Sequence, residues 1–215
     1  MRLGLAGKEK EPSGEKVFFF LSGIVVGVPI AIFFEVVSNL WFATLGVVTI
    51  VAPIVEEFAK ANPLFYRYER PAKTLVRLGF LAGLGFGFAE FFVYIQSGLP
   101  FLPRLPAIGF HAAGTSIVGY GVSKRSTFKY YVLAVALHFL NNLFATLGWI
   151  WLVGGLGATV ASYYLAWRYY RLSSETPITP SPTQAKRFCT NCGTQLHANA
   201  QFCFNCGSNQ NLPHP

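Results

Sequence analysis

Glu56 and Glu57 stand side by side with Lys60 one helical turn on, in Val55-Glu56-Glu57-Phe58-Ala59-Lys60. Three more polar clusters follow: Glu90 in Gly85-Phe86-Gly87-Phe88-Ala89-Glu90, His111 in His111-Ala112-Ala113-Gly114-Thr115, and the pair His138 and Asn142. Glu56 and Lys60 are four apart and share a helix face, as do His138 and Asn142, while Glu57 points about 100° away from Glu56. Carboxylates held close together in a low dielectric share protons and can hold a water, one acting as base and the other as acid. An imidazole and an amide on a neighbouring helix can donate to a developing oxyanion. The four cysteines lie near the C-terminus, and no serine has an evident histidine and carboxylate beside it. Hydrolysis of a peptide bond by an activated water is the reaction these groups suit best.

The surroundings of these residues read as lipid. Hydrophobic residues make up 53% of the chain and charged residues 12%, about half the charge of ordinary soluble domains. An ionisable group at membrane depth costs about 2.5–3.5 kcal/mol on insertion scales, and such groups mark functional cavities. The pattern predicts an all-α integral membrane bundle of about six transmembrane helices, near residues 17–34, 40–66, 78–95, 107–122, 130–149 and 150–167. Pro29 is expected to kink or loosen the first, and Glu35, Ser38 and Asn39 to form the turn after it. Residues 97–106, with three prolines, read as a loop. Glycines 79, 83, 85 and 87 in the third span would let backbones approach closely. Counted at ~1.5 Å per residue, Glu90, His111, His138 and Asn142 fall at similar depths, so they can converge with Glu56 on one cavity.

Basic residues cluster in alternate loops: Arg67, Arg70, Lys73 and Arg77, then Lys124, Arg125 and Lys129, then Arg168 and Arg171. This alternation predicts a multi-pass membrane protein with both termini cytoplasmic. The net charge of +8 is thus assigned to topology, and nucleic acid is discounted as a partner. No cleavable signal peptide is evident.

The set Glu56-Glu57-x-x-Lys60, Phe86-x-x-x-Glu90, His111 with Ala112 and Thr115, and His138-x-x-x-Asn142 resembles the PrsW family of intramembrane proteases, over about residues 40–145. That family is similar to the larger group of CAAX prenyl endopeptidases. The resemblance implies that Glu56 activates the attacking water, that His138 and Asn142 stabilise the oxyanion, and that Glu57 and Lys60 support them. Glu90 stands where the CAAX relatives carry a histidine. The expected substrate is a membrane protein or membrane-anchored peptide in the lipid bilayer. A catalytic metal is not expected, yet histidines and carboxylates permit a zinc-dependent membrane protease. The rival from another class is a small proton- or ion-coupled transporter. The blander readings are a buried ion pair for Glu56 and Lys60, a counter-charge for Glu90, a packing residue for His111, and interhelical hydrogen bonding for His138 and Asn142.

At the C-terminus, Cys189-x-x-Cys192 and Cys203-x-x-Cys206, each followed by glycine, have the spacing of a four-thiolate structural Zn²⁺ site. Paired disulfides are the alternative. The module resembles the small zinc ribbons of prokaryotic membrane proteins. His197, between the knuckles, reads as a surface residue. The expected organisation is a cytoplasmic tail (1–16), a membrane protease domain (17–171), a Pro/Ser/Thr-rich linker (172–186) and a zinc ribbon (187–215) that contacts a cytoplasmic protein partner.

Overall fold

The computed structural model describes residues 12–147, 151–175, 187–196 and 200–210. The N-terminal tail before Pro12, most of the linker and His197 lie outside the described residues. The chain divides into two compact units, residues 1–177 and 178–215.

Among the described residues, the first unit holds six helical rods. They are α1 (Ser13–Ser38), α2 (residues 44–67), α3 (Ala72–Gln96), α4 (Phe101–Ser123), α5 (Thr127–Thr146) and α6 (Trp151–Leu172). α1, α3, α4 and α6 run longer than their hydrophobic stretches, because polar flanks continue the helix, whereas α2 begins only at Thr44, four residues later than expected. Two expectations change as a result. Glu35 and Ser38 belong to the last turns of α1, with Asn39 capping them, rather than to a separate turn. The loop before α4 shrinks to residues 97–100, because α4 starts at Phe101 and runs through Pro106. Pro103 falls in the first turn, where N–H groups lack intrahelical partners, whereas Pro106 stands inside the helix and removes one of its hydrogen bonds.

Pro29 and Pro53 meet the chain in one common way. Each follows a wide π-helical turn by two residues: Gly23–Gly27 before Pro29, and Val47–Val51 before Pro53. A proline ring clashes with the carbonyl four residues back, and an extra residue in the preceding turn relieves that clash. Both rods therefore continue past their prolines.

α3 is packed between α1 and α4 at backbone distance. A Cβ on Gly79 would lie 2.5 Å from the Thr115 carbonyl oxygen, and one on Gly83 would run into the His111 carbonyl. On the α1 side, a Cβ on Gly85 would strike the Phe20 carbonyl. This is the close approach that small residues permit where helices pack without a hydrophobic driving force. Phe19, Ala61, Leu64, Leu75, Leu78, Ala82, Val118, Val122 and Ala134 form one buried cluster, towards the end of the bundle that carries the basic loops. The outer surface is apolar, with Phe33, Val36, Val132 and Val160 exposed, as suits a bundle solvated by lipid. Among the described residues, Ser13–Ser38 and Ala72–Gln96 are long and apolar enough to cross a membrane by length and composition.

Gly79→Ala is expected to force α3 from α4 and destabilise the protein by about 1–3 kcal/mol. Gly157, with open space for at least 4 Å around the point where a Cβ would stand, should accept alanine with no loss, gaining up to about 1 kcal/mol of helix propensity. Thermal melts of the two variants in detergent check the contrast.

Candidate active site

The segment that carries the carboxylates is fixed by its own backbone defect. In the wide turn of α2 the Ala52 N–H bonds the Val47 carbonyl, five residues back. The next bond in that register would run from residue 53 to Val48, and Pro53 has no N–H to give. Asn142 Nδ2, from α5, donates to the Val48 carbonyl at 3.0 Å instead. A side chain on another helix thus replaces the missing donor, one turn before Glu56.

Glu56, Glu57 and Lys60 are all buried, Lys60 completely. Lys60 Nζ donates to Glu57 Oε1 at 2.7 Å and lies 2.8 Å from His111 Nδ1. An ammonium has only protons to offer, so His111 Nδ1 is the acceptor and its proton sits on Nε2. That Nε2 faces Glu90 Oε2 at 2.6 Å. His138 Nδ1 lies 2.9 Å from Glu57 Oε1. Its proton points at that carboxylate, which leaves Nε2 with a lone pair. The lone pair faces Glu56 Oε2 at 3.8 Å, and His111 Nδ1 lies 3.8 Å from the same oxygen. Glu56 Oε2 and Glu57 Oε2 have no hydrogen-bond partner among the described residues. Aromatic rings enclose the imidazoles: Phe86 at 5.2 Å from His111, Phe110 at 5.4 Å from His138, and Lys60 lies 4.9 Å from the centre of Phe86.

Six of the seven residues singled out in the membrane part therefore meet: Glu56, Glu57, Lys60, Glu90, His111 and His138. Two details differ from expectation. Lys60 pairs with Glu57, three residues away, and leaves Glu56 open. Asn142 is turned to the α2 backbone, and His138 presents a lone pair rather than an N–H, so neither is set to donate to an oxyanion in this arrangement.

Two residues outside the expected set also belong here. Glu35 of α1 reaches the Glu56 carboxyl and feels the charge of Glu90. Tyr94, one turn beyond Glu90, faces the same carboxyls, with the Arg104 guanidinium 4.1 Å from its ring centre. The available signal was spacing: Glu90 and Tyr94 are four apart on one face, and Glu35 is the lone acid at the end of an apolar run. Of the six residues that meet, Glu90 is the most open, its side chain 16% exposed against 5% or less for the other five.

The second unit is a four-cysteine knuckle pair. β1 (Arg187–Phe188) and β2 (Gln195–Leu196) pair antiparallel. The Gly193 N–H bonds the Cys189 carbonyl at 2.9 Å, and the Gly207 N–H bonds the Cys203 carbonyl at 2.8 Å. Both glycines take positive φ, 74° and 71°, where a side chain would be strained. Cys189 Sγ lies 3.5 Å from Cys206 Sγ, and Cys192 Sγ 3.6 Å from Cys203 Sγ. All four cysteines are free thiols here, with separations well beyond the about 2.05 Å of a disulfide bond. The separations match the ~3.8 Å sulfur spacing of a tetrahedral zinc site with Zn–S bonds near 2.3 Å. The Ser208 hydroxyl holds the Cys189 thiol down at about 5, while burial pushes Cys203 up to about 11.

Carboxyls and imidazoles gathered in one buried cluster, in a bundle with a lipid-type surface, fit a membrane-embedded hydrolase. The family described as PrsW family intramembrane metalloprotease matches residues 11–168, and the chain belongs to it. It is a membrane protease, a peptide hydrolase. A zinc-ribbon domain matches residues 188–209. Searches against curated proteins and against solved structures give no match.

The family description includes a metal, and the side chains present fit one. Glu56, His111 and His138 each offer one ligand atom, all within 4.8 Å of one another. Glu56 Oε2 has no other partner among the described residues, and a histidine–carboxylate set suits zinc. His111 would release Lys60 from Nδ1 to take part.

Lys60→Met should leave Glu57 as an uncompensated buried charge and cost about 3–5 kcal/mol. Adding Glu57→Gln should return most of that loss, which thermal unfolding of the single and double variants will show. In the ribbon, Cys189→Ser with Cys203→Ser should lower bound zinc by about one equivalent per chain and leave the melt of the helical unit unchanged. Metal analysis beside the melting curves checks both.

Proposed function

We propose that this protease cleaves membrane-embedded or membrane-anchored proteins by activating a water between Glu56 and His138. The observation that carries this is Glu56 Oε2, a buried carboxyl oxygen with no hydrogen-bond partner among the described residues, 3.8 Å from His138 Nε2. A water placed there gives one O–H to each acceptor and turns its oxygen lone pairs towards the substrate. Glu56 takes the proton as the oxygen attacks the peptide carbonyl, then returns it to the leaving amine. Glu57 accepts from Lys60 and from His138, so it fixes the imidazole tautomer and keeps Nε2 unprotonated. His111 links Lys60 to Glu90 and holds the far wall. Glu35 brings a further carboxyl close to Glu56. A divalent cation held by Glu56 and His138, with His111, would lower the pKa of the water and polarise the scissile carbonyl.

The basic residues of the α2–α3 and α4–α5 connections and of the end of α6 lie at one end of the bundle, while Arg104 stands alone towards the other. This supports six spans with both termini cytoplasmic. The ribbon then lies in a reducing compartment, which suits zinc thiolates. Its role in this reading is an accessory one, protein docking outside the membrane, on the linker that follows α6 and its contacts through Ser174 and Glu175 with Lys73.

Glu56→Gln is isosteric and removes only the base. Reconstituted wild type should generate new N-termini within or beside transmembrane segments of native membrane proteins, and Glu56→Gln should reduce them by a factor of about 10² or more. Matching N-terminal profiles for the two proteins would overturn the mechanism.

A further inference from the structure

A cavity of about 560 Å³ opens on the face of α4 turned away from Glu56. Gly109, Ala113 and Ser116 of α4 line it, at spacings of four and three. His111 and Gly114, which face the carboxyl cluster, lie on the opposite side of the same helix. Val76, Phe80 and Leu81 of α3 and Tyr163, Ala166 and Trp167 of α6 complete apolar walls. The cavity is therefore separate from the cleft already described.

Its mouth is cationic. Lys16 and Arg77 line it, together with Tyr170. Arg77 Nη2 donates to the Tyr170 hydroxyl at 2.9 Å, and its guanidinium lies 5.5 Å from the Tyr170 ring centre. Lys73 sits 5.0 Å from the same ring while pairing with Glu175 at 3.0 Å. The aromatic–basic pattern of Trp167, Arg168, Tyr170 and Arg171 belongs at the level of lipid headgroups. From Tyr170 to Tyr163 the wall runs about 10 Å down the helix towards the bilayer centre.

We propose that this cavity binds an anionic glycerophospholipid, its phosphate held by Arg77 and Lys16 and one acyl chain laid between α3, α4 and α6. Charge complementarity selects the headgroup. A guanidinium presents paired donors to phosphate oxygens, and an ammonium adds a second charge. Size selects the chain: an α-helix of 10–12 Å diameter fills roughly 400–600 Å³ in one turn. A substrate helix or a second copy of this chain would therefore enter by a single turn, whereas a slender acyl chain uses the full depth. A bound lipid here would wedge α6 against the α3–α4 pair from the side opposite the cleft.

The test is native mass spectrometry of the full-length protein in detergent. It is titrated in parallel with phosphatidylglycerol and phosphatidylcholine carrying the same acyl chains. Wild type should retain phosphatidylglycerol at least tenfold more tightly. Each basic residue near a headgroup contributes about fivefold, so Lys16→Gln with Arg77→Gln should bring the two lipids level. Ala166→Phe fills the apolar wall and leaves both cations in place, so it should weaken retention of both lipids. Equal retention of the two lipids by wild type would overturn the proposal. So would a preference that survives the double substitution, unchanged binding in Ala166→Phe, or a protein dimer that Ala166→Phe disperses. None of these readouts depends on proteolysis, and the variants touch no residue of the cleft.

Discussion

The Lys60 ammonium is the interaction on which the bundle depends. It lies fully buried, with Glu57 Oε1 at 2.7 Å and His111 Nδ1 at 2.8 Å. A lone ammonium at this depth would be expelled or neutralised, and the carboxylate beside it likewise. Joined, they fix a chain of orientations. Glu57 is anchored by Lys60, so it can take the His138 proton. His111 takes Lys60 on one nitrogen, so it can give Glu90 the other. Three helices, α2, α4 and α5, are tied through one cation, and α3 joins them through Glu90.

The backbone has to bring those side chains within 3 Å, and it does so by removing bulk rather than adding contacts. Gly79, Gly83 and Gly87 leave α3 bare along α4. Gly114 does the same for the cluster: a Cβ there would press on the Glu57 carboxylate at 3.1 Å. The π-turn before Pro53 sets the phase of Glu56 and Glu57 towards the bundle axis, and Asn142 satisfies the carbonyl that the proline leaves open. Small residues and one borrowed amide thus place the charges that Lys60 then holds.

Much of this was legible in the sequence. Six apolar stretches separated by alternating basic loops correspond to the six rods, and intramembrane charge pointed to residues that do meet. The zinc ribbon was legible because four cysteines at fixed spacing leave few other arrangements. Three things were not legible, each for a physical reason. Residues at three and at four positions from Lys60 both share its face, so spacing alone could not say whether Glu56 or Glu57 takes the ion pair. Asn142 has the spacing of a partner for His138, but the need it meets arises from a π-register that sequence does not display. Glu35 ends a hydrophobic run, where a charge ordinarily marks the interface. Only the extension of α1 to Ser38 and its packing on α2 bring that carboxyl to Glu56.

The charges of the cluster do not balance. Glu35, Glu56, Glu57 and Glu90 bring four carboxyls to one ammonium and two imidazoles. Glu57 is matched by Lys60, and Glu90 is hydrogen-bonded by His111. What remains is centred on Glu56, whose Oε2 has no partner among the described residues. Carboxyls this close in a low dielectric are not all ionised unless a cation or a shared proton joins them. A purely structural cluster would be stabler with that excess replaced by apolar groups of the same volume. The excess persists on the side where Glu90 is exposed, and the basic end behind it is sealed by Phe19, Leu64, Leu78 and Val118. The excess negative charge therefore lies on the side of the cluster where Tyr94 and Arg104 stand, away from the packed apolar end.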